Sequence, residues 1–296
     1  MKTILTLLTA AALTVATHAA STIDASSKYA WGANFGWTNW RDANAGADGA
    51  VVGEYVCSGY VWGANVGWID LGDGTPDYGI RYSNATDTDF GVNLQEHIVS
   101  GGVPRAKLRG FAYGANIGWI NFEFMGNPEL SLETGRLSGY AWSANCGWIN
   151  LGDATFAVQT NTIIPGVDSD GDGIADAFEF QYTNPDTLAF FTATSDRDGD
   201  GASDAEEYAS GTNPLDANSR LRITAFNASS PGFSLTWTSS PTRRYRIETK
   251  TDLLAPAWTL ALDNILPDGI TTTRGGATPA SSQRFFRVQA FLPFAP

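Results

Sequence analysis

The chain reads YAWGANFGWTN at residues 29–39, and the pattern returns as YVWGANVGWID at 60–70, FAYGANIGWIN at 111–121 and YAWSANCGWIN at 140–150. Each copy has an aromatic residue, any residue, a second aromatic residue, Gly or Ser, Ala-Asn, an apolar residue and Gly-Trp. The copies start 31, 51 and 29 residues apart, so an insertion of about twenty residues, roughly 83–104, precedes the third copy. Such self-similarity predicts a domain built from four equivalent supersecondary units.

Two short strands around a turn are predicted for each copy. In the second copy, residues 60–62 and 67–69 are rich in the aromatic and β-branched residues that favour strands. The Gly-Ala-Asn between them suits a turn, because Asn tolerates left-handed backbone dihedrals and can bond its own backbone. The repeats therefore predict a mainly β domain, built as a solenoid, a propeller-like ring or a sandwich of repeated hairpins. The pattern leaves these three alternatives open.

Eight of the ten tryptophans lie in or beside these repeats. One interpretation is that every repeat buries its own aromatic residues to build a core that so short a unit could not otherwise supply. The other is a row of exposed rings that stack on sugar faces or on a polymer. Regular recurrence favours core packing, because each repeat has the same packing problem to solve. The recurring Asn is likewise expected to satisfy backbone groups of the turns and not to bind a ligand, at Asn34, Asn65, Asn116 and Asn145.

Residues 168–179, DSDGDGIADAFE, match the pattern of a calcium-binding loop. Such a loop has twelve residues, with oxygen ligands at positions 1, 3, 5, 7, 9 and 12, the seventh through its backbone carbonyl, and Gly at position 6 for a sharp turn. The predicted ligands of a first Ca²⁺ are therefore Asp168, Asp170, Asp172, the Ile174 carbonyl, Asp176 and Glu179. The turn falls at Gly173, and the apolar residue after it is expected to anchor the loop inward.

The pattern returns 28 residues later as DRDGDGASDAEE at 196–207. The predicted ligands of a second Ca²⁺ are Asp196, Asp198, Asp200, the Ala202 carbonyl, Asp204 and Glu207. Short helices are predicted at 175–182 and 204–210. No helix is expected before the first loop, because Ile-Pro-Gly stands at 164–166, so the unit is not a complete helix–loop–helix hand.

These two motifs, with the EEYASGTNPLD that completes the second, resemble the thrombospondin type 3-like calcium repeats of large exported bacterial proteins. The resemblance covers roughly residues 165–218. It implies a calcium-rigidified spacer between extracellular domains, and it implies no catalytic activity. Dockerin modules share the loop chemistry, but the spacing of 28 residues and the terminal Glu residues fit them less well.

From residue 219 onward, short strand signals alternate with turn residues. Six or seven strands in a segment of this length predict a β-sandwich. The pattern resembles a fibronectin type III-like module, with Trp237 as a core residue and the arginines of the strands on a solvated face. The predicted strands are 221–226, 233–238, 245–250, 258–262, 271–274 and 284–290.

The N-terminal residues predict an exported protein, secreted or held at the cell surface. Lys2 is followed by a mainly apolar stretch over 4–16 and by two alanines, the layout of a signal peptide, and no later segment is apolar enough to span a membrane. Residues 21–219 carry 27 acidic against 8 basic side chains, which argues against nucleic acid as a partner and favours divalent cations. Whether Cys57 and Cys146 form a disulfide is left open, although Cys146 stands where the other repeats have buried apolar residues.

The sequence divides into a signal peptide at 1–20, aromatic repeats at 21–160, calcium loops at 161–218 and a β-sandwich at 219–296. No enzyme is expected, because His97 is the only histidine after the signal peptide and no nucleophile, phosphate or dinucleotide motif is found. The favoured function is adhesion or ligand binding through the repeats, with a polysaccharide or a surface protein as the partner and calcium rigidifying the linker. The alternatives are a self-assembling structural subunit and a glycosidase that uses acids among Asp70, Asp73, Glu123 and Asp153.

Overall fold

The structure, a computed structural model, describes residues 20–183, 187–229, 232–277 and 283–295. The predicted signal peptide lies outside these residues apart from Ala20. Within the described residues the fold is mainly β, as the sequence predicts. The strands of the repeat region are β1 (Ile23–Gly32), β2 (Gly36–Asn39), β3 (Val51–Val52), β4 (Cys57–Ser58), β5 (Tyr60–Gly63), β6 (Gly67–Asp70), β7 (Val92–Ser100), β8 (Val103–Gly114), β9 (Gly118–Asn121), β10 (Glu129–Ser131), β11 (Leu137–Ser143), β12 (Gly147–Gly152) and β13 (Val158–Thr160).

Two short α-helices and six further strands follow in the described part of the chain. The helices α1 (Asp176–Tyr182) and α2 (Asp204–Ser210) begin within one residue of their predicted starts. Neither of these helices is long and apolar enough to cross a membrane. The C-terminal strands are β14 (Ile223–Ser229), β15 (Gly232–Thr238), β16 (Arg244–Lys250), β17 (Thr259–Ile265), β18 (Thr271–Ala277) and β19 (Phe285–Phe291). Each of these six overlaps a predicted strand.

The four repeats form four β-hairpins that pair edge to edge into a closed sheet. The hairpins are β1–β2, β5–β6, β8–β9 and β11–β12, each antiparallel. Neighbouring hairpins pair through β2–β5, β6–β8 and β9–β11, and β12 returns to β1. We call these eight strands the hairpin ring. The predicted domain of repeated β-hairpins is confirmed, and its closed, barrel-like form pairs every ring strand on both sides and removes the open edges.

Side chains of the ring strands alternate between the inside and the outside, as the period of a strand requires. The inner positions carry small or branched side chains that are at most 4 % exposed, namely Ala30, Thr38, Val61, Ile69, Ala112, Ile120, Ala141 and Ile149. A closed sheet of about eight strands has an interior just wide enough for such side chains. Trp40, directly after the first repeat, is 5 % exposed and packs in the core. The tryptophans within the repeats take outer positions, so the prediction that they build the core is wrong for them. Six of them are 37–50 % exposed: Trp31, Trp37, Trp62, Trp68, Trp119 and Trp148.

The recurring Asn of each turn links its hairpin to the preceding one around the ring. In all four copies the side-chain Nδ2 donates a hydrogen bond of 2.8–3.1 Å to the carbonyl of the apolar turn residue in that neighbour. The prediction that Asn satisfies backbone groups is therefore confirmed, although the carbonyl belongs to the adjacent repeat. The four pairs are Asn34 with Cys146, Asn65 with Phe35, Asn116 with Val66 and Asn145 with Ile117.

The apolar residue of each turn packs back onto the residue that ends the first strand of its hairpin. A Cβ built on Gly32 would lie 2.2 Å from Cζ of Phe35, far inside van der Waals contact. The fourth repeat has Ser143 in the place of Gly32, and it also has a much smaller partner, Cys146. The glycine and the large side chain therefore share one volume, which explains why Ser occurs in the copy that has Cys.

Replacing Gly32 with Ser is expected to destabilise the ring by about 1–3 kcal/mol, because overpacking displaces the ring of Phe35. In a Phe35→Cys background the same change should cost little, since that combination is the Ser and Cys pair of the fourth hairpin. Urea unfolding of the four proteins in a double-mutant cycle measures the difference. An equal cost of Gly32→Ser in both backgrounds would contradict this packing.

The predicted insertion at 83–104 contains a loop, all of β7 and the start of β8. β7 pairs with β8 as a long hairpin, and β8 then continues into the third copy of the repeat. β10 pairs with β8 as well, so the insertion is built into the edge of the repeat domain. The insertion thereby places its loop, residues 83–91, next to the third hairpin.

The two cysteines are free thiols in the structure. Cys57 is 2 % exposed, and burial raises the pKa of its thiol to about 12. Cys146 packs against the core of the hairpin ring, where the other repeats have Phe, Val or Ile. The question that the sequence left open is therefore resolved in favour of two separate thiols.

The C-terminal strands form two three-stranded sheets, in the orders β14-β15-β18 and β17-β16-β19. Their side chains share one core, in which Trp237 is completely buried, as predicted. Leu235 from the first sheet and Tyr245 and Ile247 from the second are at most 1 % exposed. Two sheets packed over a common core are the arrangement of a β-sandwich.

Candidate calcium sites and the aromatic surface

The first predicted loop brings three of its carboxylates together. Asp168, Asp170 and Asp172 each place a carboxylate oxygen within 4.8 Å of the others. The loop folds back because the Asp168 carboxylate accepts hydrogen bonds from the N–H groups of Gly171 (2.8 Å) and Gly173 (2.9 Å). Gly173 has a φ of +92°, a conformation that side chains disfavour, which is why the turn at position 6 requires Gly.

Glu179 supplies the twelfth position of the first loop from helix α1. Its side chain is completely buried, and neither carboxylate oxygen has a hydrogen-bond partner among the described residues. One oxygen of Asp172 is buried and unpartnered in the same way. Burial, reinforced by the charges of Asp172 and Asp170, raises the pKa of Glu179 to about 8. Unpaired buried carboxylate oxygens are costly on their own, and they are the donor atoms that Ca²⁺ prefers.

The second loop repeats this geometry. Its Asp196 accepts hydrogen bonds from the N–H groups of Gly199 (2.8 Å) and Gly201 (3.0 Å). Glu207 on α2 is completely buried with its Oε2 unpartnered in the described part of the chain, and burial, with nearby aspartates, raises the pKa of Glu207 to about 7. Carboxylate oxygens again lie within 4.8 Å of one another at Asp196, Asp198 and Asp200.

The ninth residue of each loop makes hydrogen bonds within the protein. Asp176 accepts them from the backbone N–H (2.7 Å) and the hydroxyl (2.5 Å) of Ser169. Asp204 accepts them from the backbone N–H of Arg197 (3.1 Å) and from the hydroxyl of Ser195 (2.5 Å). These two predicted ligands fasten each helix to the start of its loop, and position 9 of such loops often reaches the ion through water. The two carbonyls predicted at position 7 come directly after the turn glycines, at Ile174 and Ala202.

The calcium module, residues 161–218, packs around a small core of its own. Ile174 is completely buried against Phe178 and Phe191, as expected for the inward anchor of the first loop. Tyr208 from α2 and Tyr55 from the repeat region pack on the same cluster. The first loop, both helices and the repeat region therefore all contribute side chains to this small core.

One buried carboxylate joins the repeat region, the calcium module and the C-terminal sandwich. Glu54 accepts a hydrogen bond from the Tyr208 hydroxyl (2.9 Å) and forms an ion pair with Arg243 (Oε1 to Nη1, 2.9 Å). Arg243 also donates to the carbonyls of Tyr208 (2.7 Å) and Ala209 (3.0 Å) near the end of α2. The side chains of Glu54 and Arg243 are only 8 % and 4 % exposed. We call this contact the three-part junction.

The calcium module does not keep the two flanking domains apart, which corrects the expectation of a spacer drawn from the resemblance. Arg244 of the C-terminal sandwich donates hydrogen bonds to the carbonyls of Leu132 (2.6 Å) and Glu133 (2.6 Å) in the repeat region, so the two flanking domains touch directly. The expectation that the arginines of the predicted strands lie on a solvated face does not cover Arg243 and Arg244, which come directly before the strand predicted at 245–250. Both are buried, because their guanidinium groups find acceptors across the contact between domains.

The outer face of the hairpin ring carries one aromatic triplet on each hairpin. In each triplet the Trp of the Gly-Trp pair contacts two aromatic residues of the opposite strand, edge to face. Ring centroids lie 4.7–4.9 Å apart in the directly opposed pairs, which are Trp31–Trp37, Trp62–Trp68, Tyr113–Trp119 and Trp142–Trp148. The third ring lies 6.1–6.2 Å from the same Trp, at Tyr29, Tyr60, Phe111 and Tyr140.

The acidic residues considered for glycoside chemistry make local hydrogen bonds to backbone N–H groups. The four pairs are Asp70 with Gly72, Asp73 with Thr75, Glu123 with Gly110 and Asp153 with Thr155. His97 lines a cavity of about 160 Å³ beside the three-part junction. Burial, with the charges of Arg243 and Arg81, lowers the pKa of His97 to about 4, so its imidazole is neutral at pH 7.

Comparison with known proteins identifies the calcium module. A family model described as the bacterial TSP3 repeat matches residues 168–185 and 196–217. This match confirms the resemblance to thrombospondin type 3-like repeats. A search of curated proteins and a search of solved structures returned no match. Together with the clustered aspartates and the buried Glu179 and Glu207, the match indicates that the module binds calcium.

Proposed function

We propose that this protein is an exported, calcium-binding adhesion protein that binds a polysaccharide through the aromatic triplets of its hairpin ring. The observation that carries the proposal is the outward placement of the repeat tryptophans, six of which are 37–50 % exposed. Export follows from the predicted signal peptide, and the calcium loops hold the module that joins the two β domains. The protein acts by binding in this proposal and not by catalysis.

Exposed tryptophans in this number indicate a binding surface. Soluble proteins rarely carry large contiguous apolar patches, and those that they do carry mark sites of interaction. The ring does not use these aromatic side chains for its core, since its inner positions are filled by smaller residues. The same triplet repeated four times suits a ligand that itself repeats, because several weak contacts on one chain combine into strong attachment.

A polysaccharide fits this surface better than the other polymers considered. The C–H face of a sugar ring stacks on an indole, and triplets fixed by their own edge contacts lose little conformational freedom on binding. Residues 21–160 carry 14 acidic against 7 basic side chains, which disfavours nucleic acid. The self-assembly alternative depends on open β edges, and each ring strand is already paired on both sides.

The experimental test is retention of the calcium-loaded protein on insoluble cellulose, chitin and β-1,3-glucan. Replacing the central tryptophan of all four triplets with Ala should weaken retention about tenfold or more, on the basis of ~0.5–1.5 kcal/mol for each aromatic contact. The four positions are Trp37, Trp68, Trp119 and Trp148.

The control is Leu254→Ala, which removes an apolar side chain that is 93 % exposed outside the ring. This variant should be retained as well as the unchanged protein, and thermal unfolding of every variant checks that the fold is kept. Undiminished retention of the fourfold variant would overturn the proposal. Failure of the unchanged protein to bind any of the three polysaccharides would also overturn it.

A further inference from the structure

A loop covers one side of the aromatic triplet on the third hairpin. The start of the predicted insertion lies beside Trp119, and together they line an open cleft of about 330 Å³. One wall is aromatic and the other is polar, the combination found in sites that bind small organic ligands. The lining residues are Phe90, Phe111 and Trp119 on the aromatic side and Asn84, Ala85, Thr86 and Asp87 on the loop side.

Trp119 is held in place by three other aromatic rings. Its centroid lies 4.9 Å from that of Tyr113, 5.1 Å from that of Phe90 and 6.2 Å from that of Phe111, each in an edge-to-face contact. Phe90 belongs to the insertion and adds a contact beyond the triplet itself. The indole is nevertheless 44 % exposed, so it presents a fixed apolar surface to the cleft.

The loop opposite Trp119 is fastened to the body of the domain. Asp89 is 3 % exposed and accepts a hydrogen bond from the N–H of Ser83 (2.9 Å). Asn84 accepts hydrogen bonds from the N–H groups of Gly91 (3.0 Å) and Phe111 (3.2 Å). Because both walls are held before any ligand arrives, binding does not have to order the site.

Polar groups of the loop remain exposed beside the aromatic wall. The hydroxyl of Thr86 lies 3.2 Å from that of Thr88. Asp87 is exposed, and its carboxylate makes no hydrogen bond or ion pair with any residue that the structure describes. An ionised carboxylate only accepts hydrogen bonds, so Asp87 is suited to ligand hydroxyl groups.

We propose that this cleft is the main subsite for an uncharged sugar residue of the polysaccharide, stacked on Trp119 and hydrogen-bonded to Asp87. The inference rests on the proposed function and narrows it to one place and one class of ligand. Asp87 and the acidic excess of the repeat region, 14 side chains against 7, repel uronic acids and sulfated sugars. Neutral sugars bring hydroxyl donors to the carboxylate without that repulsion.

The second hairpin offers a matched comparison. Trp68 occupies the same place in its triplet as Trp119 and is 45 % exposed, against 44 %. Its contacts with Tyr60 (6.1 Å) and Trp62 (4.7 Å) have nearly the same lengths as those within the third triplet. Replacing Trp68 therefore removes an equivalent ring that does not line the cleft.

The test compares Trp119→Ala, Asp87→Ala and Trp68→Ala by calorimetric titration. The neutral probes are cellohexaose, chitohexaose and laminarihexaose, and hexagalacturonate is the acidic probe. Trp119→Ala and Asp87→Ala should each weaken binding of the best neutral hexasaccharide about tenfold, whereas Trp68→Ala should weaken it less than about threefold. Thermal unfolding checks that all three variants keep the fold.

The possible outcomes separate this inference from the proposed function. Equal losses for Trp119→Ala and Trp68→Ala would overturn the cleft as a subsite, while retention on polysaccharides would still support binding by the triplets. Tighter binding of hexagalacturonate than of every neutral probe would overturn the class of ligand. Retention of the unchanged protein on an insoluble polysaccharide without binding of any hexasaccharide would also count against the cleft. Failure of the unchanged protein to be retained on any polysaccharide would overturn the proposed function.

Discussion

Removal of calcium is expected to loosen the calcium module while the hairpin ring stays folded. Without an ion, the three clustered aspartates of each loop repel one another, and Glu179 and Glu207 keep buried oxygens that have no hydrogen-bond partner in the described part of the chain. A bound cation neutralises the repulsion between the aspartates and coordinates the unpaired oxygens. Each site should stabilise the module by about 2.7 kcal/mol at a free calcium concentration of roughly 100 times Kd.

Hydrogen exchange with and without a chelator measures this effect by segment. Amide protection should fall in residues 168–183 and 196–212 and should stay unchanged in the strands of the ring, since those are held by hairpin pairing and an aliphatic core. Calorimetric titration should show two sites for the unchanged protein. Protection of both segments that does not respond to chelation would contradict the assignment of the loops.

Glu179→Gln distinguishes a metal ligand from a structural carboxylate. In calcium the variant should lose one site and unfold more easily than the unchanged protein. Without calcium the order should reverse, because the neutral amide avoids the burial of charge that raises the pKa of Glu179 to about 8. Asp252→Asn, at an exposed carboxylate outside the loops, is the control and should change neither result. Destabilisation both with and without calcium would contradict the role as a ligand.

The calcium module could be predicted from the sequence because its structure is locally encoded. The spacing of Asp, Gly and Glu within twelve residues sets the turn, the cluster of carboxylates and the start of the following helix. Helices α1 and α2 therefore begin within one residue of their predicted positions. The strands of the C-terminal sandwich were also predictable, since Gly, Pro and Ser separate them clearly.

The inside and the outside of the hairpin ring could not be assigned from the sequence. Both faces of the hairpins are largely apolar, as in the second, which has Val61 and Ile69 on one side and Trp62 and Trp68 on the other. Alternation shows which residues share a face but not which face is enclosed. The size of the interior decides which face is enclosed. A closed eight-stranded sheet has room inside for the small and branched side chains and not for the indole rings. Closure depends on pairing between distant repeats, which the sequence pattern does not show.

The three-part junction was missed because each of its members looks unremarkable in sequence. Glu54 and Arg243 are 189 positions apart, and neither belongs to a motif. Only the packing of α2 between the repeat region and the sandwich brings Oε1 of Glu54 to 2.9 Å from Nη1 of Arg243. Asp87 and Phe90 were overlooked for a similar reason, since the insertion was recognised by its length and its loop was given no role.

Breaking the three-part junction is expected to produce the second large effect. Arg243→Ala leaves the carboxylate of Glu54 buried without its cation, and it removes the guanidinium donor from the carbonyls of Tyr208 and Ala209. Removing one partner of a buried ion pair costs about 3–5 kcal/mol. Arg243→Lys should have an intermediate effect, because it keeps the charge but cannot reproduce the forked contacts of the guanidinium group.

Arg246→Ala is the control, because Arg246 lies three residues further along the chain, on β16, and pairs with Asp263 (3.6 Å) in a contact whose side chains are 39 % and 47 % exposed. An exposed pair of this kind contributes at most about 1 kcal/mol. Urea unfolding in saturating calcium, with hydrogen exchange at α2, measures both variants. A similarly small decrease in the free energy of unfolding for Arg243→Ala and Arg246→Ala would contradict a stabilising role of the junction. A large loss for Arg243→Ala would support the junction, in which α2, the helix that carries Glu207, also carries the carbonyls that accept hydrogen bonds from Arg243.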